Sequence, residues 1–481
     1  MAMRTTSPRI AADRTIGAVL DDSWSTKPAT DLAAAIRAKE IKSRELLELY
    51  LSRIDRLNGG INAVVTLSTD RAFAEADAAD ARTVNGGELP PLHGLPTTIK
   101  DAIETKDIRS TGGAVELRDH VPTEDAPAVA RLRAAGAIVF GKTNLPRWSG
   151  DLQSYNEIFG TTNNPWDHSR IPGGSSGGAA AAVAAGLTSF ELGTDIGGSV
   201  RLPSHCCGTF ALKPSFGVVP QRGYLDSVGG GVTDADINVF GPIARSAGDL
   251  ELLMSVLAGP EPARAAAWRI ELPPPGPPTL AGRRIAVWLD DPLSPTDTEM
   301  LGVLRSAADA AVAAGAIVTE VRPPTDPGQQ IALFSQLIGP AVSVSLGEQA
   351  EAMAGNHAVW LRNDRARAAL RSAWASWFED YDALLTPVMP LPAFEHLQEG
   401  DPGTRTLTVN GVERPYIHAV FWTGMFGVIY LPVAVAPVGQ TAGGIPVGVQ
   451  VVAPYLHDRD AIAIAGALGD ATRGYRVPPG C

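Results

Sequence analysis

Two clusters of glycine and serine constrain the fold of this chain more than any other feature of its sequence: PGGSSGG at 172–178 and GTDIGGSVR at 193–201. The first cluster runs directly into AAAAVAA, a strong helix former, so it predicts a loop that opens a helix and not a flexible linker. In the second cluster, Gly197 and Gly198 permit a tight loop with unshielded backbone N–H groups. Ser175 would then lie in the first turn of a helix, where unpaired N–H groups carry partial positive charge.

Serine chemistry needs a base, and the sequence offers an unusual one. His168 and His205 are the histidines near the clusters, so Lys100, which closes the upstream run GLPTTIK, is the candidate to test first. The apolar-leaning run before Lys100 predicts the end of a buried strand. A lone lysine is usually a solvated surface charge; to act as a base, its pKa must fall from about 10.4 by roughly 3 units, which desolvation permits.

Two local motifs match patterns of other enzyme classes, but the residues around each motif do not fit the secondary structure that the pattern requires. GAIVFGKT at 136–143 matches the phosphate-loop pattern, but its four middle residues read as the strand itself, which excludes a nucleotide site. GGSSG at 173–177 matches the nucleophile elbow of α/β-hydrolases, but that elbow follows a strand. Here the preceding NNPWDHSRIP is polar and interrupted by proline, so the elbow is excluded as well.

Together, the motifs around Lys100, Ser175 and Ser199 resemble the amidase signature family, whose members use a Ser-cisSer-Lys triad. The resemblance extends to GKTNLPRWSGDLQSYNEIFGTTNNPWDHSRIPGGSSGGAAAAVAAG, LKPSFGVVP and IPVGVQVVAP. It implies an α/β fold: a single large domain with a central mixed, twisted β-sheet covered by helices on both faces. It also implies that Ser199 is the nucleophile, that Ser175 follows a cis peptide bond and relays a proton, and that Lys100 is the base.

The resemblance also implies roles for residues around the triad. It assigns the oxyanion hole to four consecutive backbone amides, those of Ile196, Gly197, Gly198 and Ser199. Asp195 and Arg201 flank the nucleophile, and we expect them to form an ion pair or hydrogen-bond network that holds the loop. Ser176 either joins this network or caps the following helix, and the sequence leaves both open.

An apolar substrate pocket is predicted from four side chains that precede Ser175: Leu145, Trp148, Tyr155 and Phe159. Ordinary core packing explains these four residues equally well. The sequence also departs from the family at Arg147, where many relatives carry an acidic residue, and near the C-terminus. There GVIYLPVAVAPVG and HDRD replace the usual motifs, which predicts altered access to the pocket.

The function predicted from these features is that of an amidase, a hydrolase of linear amides that forms an acyl-enzyme on Ser199 without a metal or cofactor. Relatives cleave very different amides, and some cleave aryl amides, aryl esters or carbamates (urethanes), so the substrate stays open. One alternative is the glutamine-hydrolysing A subunit of a tRNA-dependent amidotransferase, although the C-terminal departures weigh against it. A non-catalytic binding protein on the same scaffold is a third hypothesis, which the intact triad disfavours.

Composition narrows the partners. The net charge of −12 repels polyanions, so we expect a small-molecule amide, ester or carbamate as partner and neither nucleic acid nor membrane. Only three cysteines occur, which suits a cytoplasmic protein; adjacent Cys206 and Cys207 are expected as buried small hydrophobes. Residues 415–457 contain no Asp, Glu, Lys or Arg, but their prolines predict short buried strands and not a membrane span. A homodimer is compatible with the sequence.

The predicted organisation follows the distribution of helical and strand patterns along the chain. An N-terminal extension (1–29) precedes the amidase signature domain (30–472), and a tail (473–481) follows it. Within the domain we predict a helical cover (30–90) with Ser43 capping its second helix, a catalytic core (91–260), a proline-rich connector (272–279), and a second part (280–472) with a further βαβ unit and C-terminal strands. The string AAGAIV occurs twice, and Gly136 and Gly315 in it predict left-handed helix stops.

Overall fold

The computed structural model describes residues 20–345 and 350–481, and helices alternate with strands along most of this length. The helices are α1 (Ala29–Arg37), α2 (Ser43–Ile61), α3 (Thr69–Asn85), α4 (Pro127–Ala134), α5 (Gly177–Ala184), α6 (Arg201–Cys207), α7 (Ala247–Leu257), α8 (Thr298–Ala313), α9 (Pro327–Val342), α10 (Ala350–Ala354), α11 (His357–Trp377), α12 (Phe421–Gly427) and α13 (Asp458–Ala471). The strands are β1 (Val64–Leu67), β2 (Pro96–Lys100), β3 (Ile138–Thr143), β4 (Tyr155–Asn156), β5 (Gly160–Thr161), β6 (Glu191–Asp195), β7 (Phe210–Lys213), β8 (Val239–Ala244), β9 (Arg284–Val287), β10 (Ile317–Glu320), β11 (Ala383–Pro387), β12 (Thr406–Val409), β13 (Val412–Pro415), β14 (Val433–Gln440) and β15 (Pro446–Val452).

A mixed eight-stranded sheet forms the centre of the molecule, in the order β10-β9-β11-β15-β14-β7-β8-β6. The first three of these strands are parallel, and the remaining pairings are antiparallel. Strands β6, β7, β8, β11 and β15 are buried along their whole length, as expected for a sheet whose two faces are both covered. The predicted α/β fold class with a mixed sheet is confirmed.

Two sequence repeats lie at equivalent points of the fold. Gly136 follows α4 and precedes β3 with a φ of 96°, and Gly315 follows α8 and precedes β10 with a φ of 90°. Both left-handed helix stops are therefore confirmed. The unit β9-α8-β10 is parallel and belongs to the central sheet, as predicted for the further βαβ unit.

A second, three-stranded sheet in the order β1-β3-β2 lies beside the edge strand of the central sheet. The amide of Ser189, just before β6, donates to the carbonyl of Pro96 in β2 at 3.3 Å, and the Thr97 hydroxyl donates to the Phe190 carbonyl at 2.8 Å. Strand β1 falls inside the region predicted as a purely helical cover. Residues 64–67 form a strand because they pair with β3, and no local sequence pattern predicts that pairing.

The prediction that Ser43 caps α2 is wrong. Ser43 is the first residue of the helix, and its hydroxyl has no hydrogen-bond partner within the described part of the chain. Instead, the carboxylate of Asp80 in α3 accepts from the Ser43 amide at 2.7 Å and from the Arg44 amide at 3.2 Å. A carboxylate from a neighbouring helix therefore satisfies the N–H groups that a local hydroxyl was expected to satisfy.

The uncharged stretch 415–457 folds as predicted into buried strands, β14 and β15, preceded by the short helix α12. Across residues 20–345 and 350–481, every helix is too short or too polar to cross a bilayer. Cys206 and Cys207 are fully buried in α6, as expected. Residues 1–19 of the predicted N-terminal extension lie outside the described residues.

Candidate active site

The Lys100 side chain ends in a buried cluster of hydroxyl groups. Its Nζ atom lies 2.6 Å from Ser175 Oγ and 2.7 Å from Thr194 Oγ1, and the side chain has no exposed surface. Burial lowers the pKa of Lys100 to about 7, although the nearby carboxylates of Asp195 and Glu191 act in the opposite direction. A substantial fraction of the lysine is therefore neutral near pH 7 and able to accept a proton.

The side chain of Ser154 holds the loop that carries Ser175. The Ser154 hydroxyl lies 3.1 Å from the carbonyl oxygens of both Gly173 and Ser175, and it accepts from the Gly177 amide at 3.0 Å. The peptide bond between Gly174 and Ser175 is cis, as the resemblance implies. These contacts present the Ser175 hydroxyl to Lys100 at the start of α5.

A backbone hydrogen bond joins the two glycine-serine clusters, because the Ser176 amide donates to the Ser199 carbonyl at 3.0 Å. Ser176 occupies the N-cap position of α5, but its side chain does not cap the helix. Its hydroxyl instead lies 3.3 Å from both the amide and the carbonyl of Thr194. Of the two roles left open for Ser176, the structure shows the network role.

The nucleophile candidate Ser199 lies on the loop between β6 and α6, and 8% of its surface is exposed. Within the residues that the structure describes, the Ser199 hydroxyl makes no hydrogen bond, and the same holds for the amides of Ile196, Gly197 and Ser199. The Gly198 amide differs, since it donates to Asp195 Oδ1 at 2.9 Å. The assignment of Gly198 as a fourth oxyanion donor is therefore wrong for this conformation, which leaves three N–H groups for the task.

Asp195 and Arg201 form a fully buried ion pair at 2.8 Å beneath this loop. The Asp195 carboxylate also accepts from the amides of Gly198 and Val200. Burial raises the pKa of Asp195, but the charge and hydrogen bonds of Arg201, the Lys213 charge and the Val200 amide together outweigh burial and hold the pKa below its ordinary value. Arg201 also donates to Gln450 Oε1 at 2.9 Å, so the pair ties the loop to the central sheet.

The four residues predicted to line a substrate pocket have different neighbours in the structure. Leu145 belongs to the main hydrophobic core, whereas Trp148 packs in a small separate cluster with Ala114 and Leu225. The Tyr155 hydroxyl donates to Asp151 at 3.0 Å. Phe159 lies under the Arg109 guanidinium, 5.1 Å from its central carbon. The assignment of these four residues to a substrate pocket therefore stays a prediction.

Several residues that the sequence did not single out complete the site. Thr194 is the second partner of Lys100; it lies within the GTDIGGSVR cluster, so the motif itself held that signal. Thr423 in α12 donates to the Gly197 carbonyl at 2.6 Å, and no local pattern announces it. Phe334 and Ile338 of α9 also border the loop: a methyl group added at Gly197 would lie 3.7 Å and 3.5 Å from their side chains.

The polar groups at the site are hydroxyl groups, backbone amides and one amine. Across residues 20–345 and 350–481, no group of three or more His, Cys, Asp or Glu side chains is arranged to hold a metal ion. What the arrangement offers is a base, a relay hydroxyl, a nucleophile hydroxyl and N–H donors for a developing negative charge.

Comparison with known proteins agrees with this geometry. The sequence matches the protein family described as Amidase over residues 45–338 and 331–461. Indoleacetamide hydrolase of Bradyrhizobium diazoefficiens is 33% identical, over 92% of this chain and 86% of the relative. The A subunit of glutamyl-tRNA(Gln) amidotransferase from Chromohalobacter salexigens is 32% identical, over 93% and 96% respectively. The solved structure of a bacterial aryl acylamidase of the amidase signature enzymes superposes with a TM-score of 0.79 at 26% identity, covering 95% of this chain and 99% of that one.

Proposed function

This chain belongs to the amidase family, and from that premise we propose that it hydrolyses the C–N bond of small uncharged amides through an acyl-enzyme on Ser199. Aryl amides are the proposed preferred class, and aryl esters and carbamates are proposed as further substrates. The observation that carries the proposal is the 2.6 Å contact between Ser175 and a fully buried Lys100 whose pKa is lowered to about 7.

Acylation begins with two proton transfers. Neutral Lys100 accepts the Ser175 proton while Ser175 accepts the Ser199 proton, and Ser199 Oγ forms a bond to the carbonyl carbon of the substrate. The carbonyl oxygen becomes negatively charged in the tetrahedral intermediate. The amides of Ile196, Gly197 and Ser199 then donate to it, a contribution of about 2.7 to 4 kcal/mol for each donor.

Collapse of the intermediate breaks the C–N bond and leaves an ester on Ser199. The departing amine takes up the proton that Lys100 received, passed back through Ser175, so the lysine is neutral again. Water then attacks the ester along the same relay, giving the acid and restoring the Ser199 hydroxyl. Both half-reactions therefore use one base and one oxyanion site.

The preference for uncharged substrates rests on the side chains that border the oxyanion loop. A methyl group added at Gly197 would lie nearest to Ile338 and Phe334, and one added at Gly198 nearest to Thr423 and Leu202, all uncharged side chains. The Asp195 carboxylate that accepts from the Gly198 amide is already paired with Arg201. The ammonium and carboxylate of free glutamine would need charged or strongly polar partners at such close range. Two similar proteins, an indoleacetamide hydrolase and an aryl acylamidase, carry names that support the same substrate class.

The test is Ser199→Ala, assayed with 4-nitroacetanilide alongside wild type. We expect a loss of at least about 10⁴-fold in kcat/KM with an unchanged circular dichroism spectrum, because the acyl-enzyme has no oxygen on which to form. Ser204→Ala, which alters a buried serine of α6 outside the triad, is the matched control and should retain activity. Turnover by folded Ser199→Ala near the wild-type rate would refute the assignment.

A second candidate function is the A subunit of a tRNA-dependent amidotransferase, favoured by the relatives of that name at 30 to 32% identity. The two functions predict opposite behaviour of the isolated chain. An amidohydrolase cleaves anilides by itself, whereas an amidotransferase subunit hydrolyses glutamine and needs partner subunits for its pathway role. Isolated protein that hydrolyses glutamine in preference to any anilide would favour the second candidate.

A further inference from the structure

The segment 226–236, DSVGGGVTDAD, runs between the two sides of the triad. Just before it, the Leu225 amide donates to the carbonyl of Ala102 at 2.8 Å, two residues beyond Lys100. Just after it the chain enters β8, whose first residue, Val239, pairs with Asp195 at the start of the oxyanion loop. The two ends of the segment therefore adjoin the chain just beyond Lys100 and the start of the loop that carries Ser199.

Two large apolar side chains on this segment face solvent. Val228 is 65% exposed and Val232 is 74% exposed, and between them Gly229 and Gly231 adopt left-handed backbone conformations. A single exposed valine is ordinary on a protein surface. Here two of them lie on one short glycine-rich segment whose ends adjoin both sides of the triad, which makes the segment a candidate for contact with an apolar substrate.

The C-terminal end of the segment is held by what we call the anchor cluster, which consists of Asp236, Arg367 and Tyr430. Arg367 of α11 donates to both Asp236 oxygens, at 2.8 and 3.0 Å, and the Tyr430 hydroxyl donates to Asp236 at 2.6 Å. The Arg367 guanidinium also stacks over the Tyr430 ring at 4.4 Å. Tyr430 lies in GVIYLPVAVAPVG, the stretch that departs from the family pattern.

Two residues in or next to the anchor cluster adopt an energetically unfavourable backbone conformation. Tyr430 has a φ of 71°, and Ile237, which follows Asp236, has a φ of 66°. The left-handed region is unfavourable for bulky and β-branched residues, and such conformations persist only where the surroundings enforce them. Buried Ile237 lies against the oxyanion loop: a methyl group added at Gly427 would contact Ile237 Cγ2 at 3.6 Å and the Ile196 carbonyl at 3.5 Å.

We propose that the anchor cluster holds the segment 226–236 as one wall of the substrate opening, and that Val228 and Val232 contact the apolar part of the substrate. This inference rests on the proposed amidohydrolase function. It makes Asp236, Arg367 and Tyr430 positioning residues, since they act through the segment, and it makes the two valines determinants of specificity.

Substrate contact is tested with Val228→Ser and Val232→Ser, each assayed on 4-nitroacetanilide and on acetamide. We expect KM for the anilide to rise about tenfold while kcat/KM for acetamide stays within about twofold of wild type, because only the larger substrate reaches the wall. Val312→Ser, at an exposed valine of α8, is the control and should change neither. An unchanged ratio between the two substrates would overturn the contact.

The anchor is tested by hydrogen exchange of peptides that cover 226–236, a readout independent of turnover. Tyr430→Phe keeps the ring and removes the bond to Asp236, so we expect amide exchange in the segment to accelerate about tenfold. The control Tyr475→Phe removes a hydroxyl bond to the Ala184 carbonyl and should leave the segment unchanged. Equal exchange in both variants would overturn the anchor. Wild-type protein that hydrolyses neither amide would refute the proposed function and the substrate contact with it, while the exchange result still decides the anchor.

Discussion

Lys100 and Lys142 are two fully buried lysines on neighbouring parallel strands of the small sheet, β2 and β3. The Lys142 ammonium has three acceptors: the Ile103 carbonyl, Thr105 Oγ1 at 2.8 Å and Ser110 Oγ at 3.0 Å. Among residues 20–345 and 350–481, the hydrogen-bond partners of the Lys100 amine are the hydroxyl groups of Ser175 and Thr194. Burial lowers the pKa of Lys142 to about 8 and that of Lys100 to about 7.

The different hydrogen-bond partners of the two lysines indicate that burial alone does not make a lysine a base. An ammonium group donates three hydrogen bonds and accepts none, and a carbonyl can only accept, so the surroundings of Lys142 match the charged form. A hydroxyl group both donates and accepts, so the partners of Lys100 fit the neutral amine equally well. The kind of partner, in addition to the depth of burial, separates a structural lysine from a catalytic one.

The largest expected effect is that of Lys100→Met. Removal of the base should lower kcat/KM on 4-nitroacetanilide by about 10³-fold, within the range for general-base catalysis. The melting temperature should not fall, because a buried apolar side chain replaces an amine whose charged form burial disfavours. Steady-state kinetics and thermal unfolding measure the two quantities. Activity within tenfold of wild type would break the comparison.

Lys142→Met should show the reverse pattern. The change leaves one carbonyl and two hydroxyl groups buried without their donor, so we expect the free energy of unfolding to fall by about 2 to 4 kcal/mol. Catalysis by the remaining folded protein should stay near that of wild type. Denaturant unfolding and active-site titration check both statements. If folded Lys142→Met is as inactive as Lys100→Met, the two lysines do not differ in the way described.

The pH dependence of the reaction sharpens the assignment of the base. Only neutral Lys100 accepts a proton, and its pKa of about 7 means that protonation removes the active form as pH falls below 7. We therefore expect kcat/KM to rise with pH and to level off above about pH 8. A profile from pH 5.5 to 9 with 4-nitroacetanilide measures this, and a flat profile between pH 6 and 8 would contradict it.

The smallest expected effect is that of Glu191→Gln. The Glu191 carboxylate raises the pKa of both lysines, and burial raises its own pKa to about 7, so it is only partly charged near neutrality. Its removal should shift the midpoint of the pH profile to lower pH by less than about one unit. A shift to higher pH would show that Glu191 acts on Lys100 by other means than its charge.

Much of the site was predictable because its residues lie in short motifs that can be recognised from the sequence alone. Glycine and serine clusters predicted the two loops, an apolar run predicted a buried strand end at Lys100, and the resemblance to the amidase signature family singled out Lys100, Ser175 and Ser199. The hydrogen bond from Gly198 to Asp195 was not predictable, because it depends on which way one peptide plane turns within the loop. Thr423 and Ile338 reach the loop from distant helices, and nothing near them in sequence signals that contact.

In the sequence, alternating strand and helix patterns indicated an α/β core, and the resemblance carried by the motifs around Lys100, Ser175 and Ser199 supplied the family, the mixed sheet and the three side chains proposed for catalysis. The tertiary structure added that Lys100 contacts two hydroxyl groups, that the Gly198 amide donates to Asp195, and that the four predicted pocket residues have different packing partners. The physical reason is that pKa values and hydrogen-bond pairing depend on distances of a few ångströms between segments far apart in the chain, which no local pattern records.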